Sequence, residues 1–111
     1  SAFDRINVRG LFNTLERAIS VMAKNYVFEI NDEFTRYRFE STISTYLRQI
    51  KSNRGIYDFF VRCNEQNNTS QVVDSNQFIA DIAIKPTRTA EFITLNFIAV
   101  SSGVEFNEIF S

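Results

Sequence analysis

Residues 77–111 read QFIADIAIKPTRTAEFITLNFIAVSSGVEFNEIFS, and this stretch decides the fold. Two runs, 77–85 and 91–100, alternate at the two-residue period of a β-strand and are joined by a tight PTRTA connector. In the first, Phe78, Ala80, Ile82 and Ile84 share one face, opposite Ile79, Asp81, Ala83 and Lys85. In the second, Ile93, Leu95, Phe97 and Ala99 form a purely apolar face. Phe92, Thr94, Asn96, Ile98 and Val100 form a mixed one. One apolar and one mixed face predict a sheet covered by helices on one side only. The chain then passes Ser101, Ser102 and Gly103 and adds Val104, Phe106, Ile109 and Phe110, more apolar surface than a small domain readily buries. A strand-forming extension of that kind is expected to find its acceptor in another molecule.

Upstream the period changes to that of a helix. Over residues 7–24, Val8, Leu11, Phe12, Leu15, Ala18, Ile19 and Met22 fall on one side at 100° per residue, with Asn7 placed to cap. YVFEI at 26–30 predicts a strand. Asn31 offers the next cap, and Asp32 and Glu33 suit the positive end of a second helix running to about Ser52. That helix is expected to bury Phe39, Ile43, Tyr46, Leu47 and Ile50. Gly55, in the left-handed conformation, is expected to stop it. Residues 56–63 (IYDFFVRC) read as a strand, the polar run NEQNNTSQ as an exposed loop, and 72–76 as one helical turn. The expected fold is α+β: two amphipathic helices on one face of a roughly four-stranded mixed sheet, with an extended C-terminal arm. The expected division is a domain over 1–100 and a hinge and strand-donor arm over 101–111.

At 111 residues the chain is one domain with enough length for a real core. It is 44 % hydrophobic and 23 % charged, which argues against disorder. Twelve Phe and four Tyr with one Pro fit a well-packed domain whose rings also serve an interface. Residues 1–62 carry ten Lys/Arg against seven Asp/Glu, and residues 63–111 carry two against six, for a net −1. That is too weak a balance for a nucleic-acid domain, but a plus half and a minus half suit like subunits docking in sequence. With a single cysteine there is no internal disulfide, and no apolar run reaches the ~20 residues of a membrane span. The sequence shows no signal peptide, so a cytoplasmic origin is expected.

Chemistry is scarce. There is no histidine, which removes the commonest base and the usual zinc ligand. Cys63, at a strand end without a neighbouring base, reads as a small buried thiol. Asp32 and Glu33 read as helix N-terminal charge, and Asp81 and Glu91 as strand carboxylates pairing with Lys85 or Arg88. A hydrolase built on Asp58, Asp81 or Glu91 would need a deep pocket. Residues 54–61 echo an RNA-binding signature faintly, but Tyr57 stands where a small residue belongs and a helix precedes it. No catalysis, cofactor, metal or nucleic acid is expected.

Several segments together resemble one family: Asp4–Arg9 leading into the first helix, Val27–Asp32, Arg54–Asp58, Val61–Asn64, Ala80–Pro86, Glu91–Ile93 and Leu95–Phe97. In this order they are similar to the C-terminal domain of the tail sheath proteins of contractile-tailed bacteriophages. One departure is Gly10, where related sequences tend to carry a second arginine after Arg9. The resemblance implies a structural subunit of the virion tail, assembled in the host cytoplasm. It implies subunits polymerising around a tail tube by exchanging strands and contracting to drive that tube through the host envelope. Val104, Phe106, Ile109 and Phe110 would then be the donated arm and Ser101, Ser102 and Gly103 its hinge. Arg17, Lys24, Arg38, Arg48 and Lys51 are candidates to face an acidic tube. The alternative is a small monomeric interaction or ligand-binding domain whose tail folds back on its own sheet.

Overall fold

The computed structural model describes residues 5–24, 26, 31–100 and 103–110, with side chains described over 8–24, 26, 31–100 and 103–107. Two long helices, α1 (Arg5–Ala23) and α2 (Glu33–Ser52), precede strand β1 (Asp58–Arg62) and a short helix α3 (Ser70–Asp74). Strands β2 (Phe78–Lys85), β3 (Ile93–Val100) and β4 (Gly103–Phe110) complete the chain. Of the strand expected at 26–30, residues 27–30 lie outside the described residues. Tyr26 closes a turn after α1 instead, its N–H donating to the Ala23 carbonyl at 2.8 Å.

The four strands pair in sequence order, β1-β2-β3-β4, and every pairing is antiparallel. The sheet is therefore not mixed. Tight connections such as Pro86–Phe92 join neighbours that must run in opposite directions, whereas a parallel pair needs a long crossover. The expected extended arm is also corrected. Residues 103–110 form β4, paired with β3 of the same chain from Val100↔Gly103 to Ile93↔Phe110. Of its apolar residues, Phe106 packs edge-on against Phe97, centroids 5.4 Å apart, and Val104 lies opposite Ala99.

The expected faces are borne out. Phe78, Ala80, Ile82 and Ile84 of β2 and Leu95, Phe97 and Ala99 of β3 are buried in one core with Phe12, Leu15 and Ile19 of α1 and Phe39, Ile43 and Leu47 of α2. The ring of Phe39 stands at its centre, 5.4 Å from Tyr26, 5.1 Å from Phe78 and 5.1 Å from Phe97. The opposite sheet face carries a polar row. The Asp81 carboxylate accepts from Asn96 Nδ2 at 2.8 Å and from Arg62 Nη2 at 3.3 Å, and Asn107 stands opposite Asn96. Asp81 thus pairs with Arg62 rather than with Lys85 or Arg88. Lys85 lies over the rings of Tyr57 and Phe92.

Both helix ends of α2 differ in detail from expectation. Asp32, not Asn31, is the cap, accepting from the Thr35 N–H at 2.8 Å, and that bond holds its carboxyl below the usual range. At the other end the left-handed residue is Arg54 (φ 63), with Gly55 one position later. Gly55 N–H donates to the Ile50 carbonyl and Arg54 N–H to that of Lys51, the paired bonds of a Schellman motif. Glycine is needed at 55 for space: a Cβ there would stand 2.7 Å from Ile50 Cγ2.

Candidate functional site

β4 is the place where the fold meets its surroundings. It is hydrogen-bonded to β3, and among the described residues it forms one margin of the sheet while β1 forms the other. Val104 and Phe106 are half-buried against the core and Glu105 is exposed, so the strand alternates apolar-in and polar-out. The side chains of Ile109 and Phe110 lie outside the described residues, as do Ser101 and Ser102 of the expected hinge. Gly103 opens β4 at φ 153, a conformation that side chains rarely adopt. At the β1 margin Phe60 stands out from the open face, about half exposed.

Arg17, Lys24, Arg38, Arg48 and Lys51 are all exposed on the two helices, but they do not form one uniform field. The Arg38 guanidinium sits 5.4 Å from the Tyr26 ring and 5.7 Å from that of Phe34. Lys51 Nζ lies 3.2 Å from the Asp58 carboxylate. That contact and the Phe59 N–H lower the Asp58 pKa, the backbone bond most. Arg17, Lys24 and Arg48 make no ion pair among the described residues.

Cys63 is buried at the end of β1, as expected, with Sγ 3.6 Å from the Ile79 carbonyl. Burial pushes its thiol up to about 12. At pH 8 the folded thiol is therefore protonated and poorly nucleophilic. Alkylation by iodoacetamide, followed by mass spectrometry, is expected to be negligible in buffer and complete in denaturant; fast labelling in buffer would refute this. An unfolded thiol loses its proton near pH 9 and the folded one near 12, so stability falls as pH rises across that window.

The sequence reading missed Asn68, placed in an exposed loop but in fact 3 % exposed. Its side-chain amide accepts from the Ile79 N–H at 2.9 Å and donates to the Ile79 carbonyl at 2.7 Å. Asn31 Nδ2 donates to Asn68 Oδ1 and to the Gln77 carbonyl, tying the start of α2 to the start of β2. No local signal separates this asparagine from its neighbours in NEQNNTSQ.

Two open cavities flank the α2–β1 margin. One, of about 600 Å³, lies at the start of α2 beside Glu33, Phe34, Tyr37, Glu40 and Glu65. The other, of about 400 Å³, lies at its end between Lys51, Arg54 and Arg88 over Ile56, Tyr57 and Pro86. Neither gathers catalytic groups. Among the described residues there is no cluster of three or more His, Cys, Asp or Glu placed to hold a metal, and no helix long and apolar enough to cross a membrane.

Comparison with known proteins places this two-layer α+β domain, with β1 and β4 at its margins. Residues 1–99 match the family described as phage tail sheath C-terminal domain, and the chain belongs to that family of structural, non-enzymatic tail proteins. It is 55 % identical over 109 residues to the tail sheath protein of Vibrio phage KVP40. Over the same length it is 45 % identical to that of Enterobacteria phage T4 and 47 % identical to that of Salmonella phage ViI. Each alignment covers 98 % of this chain but only 16–17 % of the relative, so the chain spans a small part of their length. No solved structure matches it.

Proposed function

We propose that the chain is the strand-exchanging part of a contractile sheath subunit, polymerising with like subunits around a tail tube. The observation that carries this reading is β4: a strand at the sheet margin, hydrogen-bonded to β3 on one side and separated from the end of β3 by two residues. In a single copy β4 has only its own β3 to pair with. In a lattice, the β4 of a neighbour fills the same slot with the same hydrogen bonds and the same Phe97–Phe106 contact. Exchange of an identical element therefore sacrifices no interface and gains linkage. A head-to-tail exchange that does not close generates a helix of subunits. Residues 101–103 are the hinge, keeping strand bonds intact while subunits re-orient during contraction.

The test locks β4 onto its own β3. Ile98 and Glu105 face each other in the β3–β4 register on the open face, at a spacing that a disulfide spans. The oxidised Ile98→Cys/Glu105→Cys chain is expected to remain folded and fail to form sheath polymers by electron microscopy, and reductant should restore them. Undiminished polymers from the locked chain would sink the reading. Arg17, Lys24 and Arg48 are the cations left to face an acidic tube. Reversing their charge should weaken co-assembly with tube and its salt dependence, and an unchanged salt dependence would remove them from that role.

A further inference from the structure

The two cavities at opposite ends of α2 are complementary in charge. The one at its end has three cations, Lys51, Arg54 and Arg88, over an apolar floor of Ile56, Tyr57 and Pro86, with no carboxylate in its lining. Asp58, just outside it, is engaged by Lys51. The Arg54 and Arg88 guanidiniums make no ion pair among the described residues. Arg54 also occupies the left-handed position after α2, where glycine is favoured, so a large cation stands where the backbone alone would select against it.

The cavity at the start of α2 has the opposite character. Glu33, Glu40 and Glu65 make no ion pair among the described residues, and Arg36, the cation among them, is bonded to the Asn31 side chain and carbonyl. Phe34 and Tyr37 are 68 % and 69 % exposed at its rim. Negative charge at the start of a helix and positive charge at its end also suit the helix dipole. Arg88, Glu40 and Glu65, however, lie outside the terminal turns of α2 and still add to the same two signs. The twenty residues of α2 hold the two sites ~30 Å apart, at 1.5 Å per residue.

We propose that the cationic cavity at the end of α2 receives the acidic, aromatic-rimmed end of α2 from a second copy of this chain. This inference rests on the sheath reading and adds to it a rigid, salt-sensitive contact separate from strand exchange. The exposed rings would cover the apolar floor, and the two guanidinium forks would take the carboxylates. Because the donating and receiving sites differ, the contact is heterologous and propagates head to tail.

The test is sedimentation velocity of the whole chain across a concentration series at low and at high salt. The wild type should associate at low salt and much less at 1 M, where screening reaches only ~3 Å. Arg54→Gly relieves the left-handed backbone and so should fold at least as well. Combined with Arg88→Glu, it should associate at least ~10-fold more weakly. The chains carrying Arg54→Glu/Arg88→Glu and Glu33→Arg/Glu65→Arg should each lose association alone and regain it when mixed. Unchanged association of the arginine variants, failure of the mixture, or a wild type that stays monomeric at low salt would each overturn the proposal. If the arginine variants associate normally while the β3–β4 lock blocks polymers, strand exchange stands and this contact falls. If the lock has no effect and the arginine variants do, the reverse holds.

Discussion

Phe39→Ala is expected to remove about 3–5 kcal/mol of stability, a large fraction of the roughly 5–15 kcal/mol that a domain has. Phe39 is fully buried and touches a ring from the turn after α1, one from β2 and one from β3. Truncation therefore opens a cavity at the point where both layers meet. Phe97 cannot move into it without leaving its edge-on contact with Phe106. With a denaturant dependence of about 1–3 kcal/mol per molar urea, the midpoint should fall by about 1–5 M, or the chain should be unfolded in buffer. Phe39→Leu keeps most of the volume and should cost less than half as much. A midpoint shift below about 0.5 M for the alanine variant would show that the core is not centred on this residue.

Asn68→Ala is expected to cost about 2–4 kcal/mol, unusually much for a residue in a polar loop. β1 ends at Arg62, opposite Asp81, so the Ile79 backbone two residues further along β2 has no strand partner on that side. The Asn68 amide supplies one, exchanging two hydrogen bonds with Ile79 as a paired residue would. Alanine leaves a buried donor and a buried acceptor unmet. The local readout is hydrogen exchange: the Ile79 amide should lose protection before the centre of β2 does. Asn68→Asp keeps the acceptor but turns a carboxylate towards the Ile79 carbonyl. It should be least harmful at low pH, where the acid is protonated and can donate. Unaltered protection at Ile79 would exclude this ladder-ending role.

The layered architecture was legible because it rests on periodicity. Val8 to Met22 and Phe39 to Ile50 repeat at helical spacing, and 78–84 and 93–99 alternate as strands, so the core faces followed from hydrophobicity alone. Details set by geometry rather than pattern were not legible. Asn31 and Asp32 are equally good caps on composition, and which one turns its side chain to the Thr35 N–H depends on the path of the chain. Gly55 looked like the left-handed residue because glycine is favoured there, yet steric crowding by Ile50 fixes it one position later. The tail shows the limit most plainly. GVEFNEIF advertises a strand, but its own β3 and a neighbour's β3 present the same edge, and a sequence does not say which copy is nearer.

The polar row on the open face acts as an index mark for the whole sheet. In β2 the run Ile79-Ala80-Asp81-Ile82-Ala83-Ile84 is nearly self-similar, so apolar patterning alone guards weakly against sliding. A shift of one residue would turn Asp81 and Lys85 under the helices and strand the Asp81 charge in the core. With Asp81 gripped by Arg62 and Asn96, β1, β2 and β3 share one favoured alignment. β4 therefore meets, at β3, a ladder whose phase is already set, and its own placement follows from that of the three strands before it.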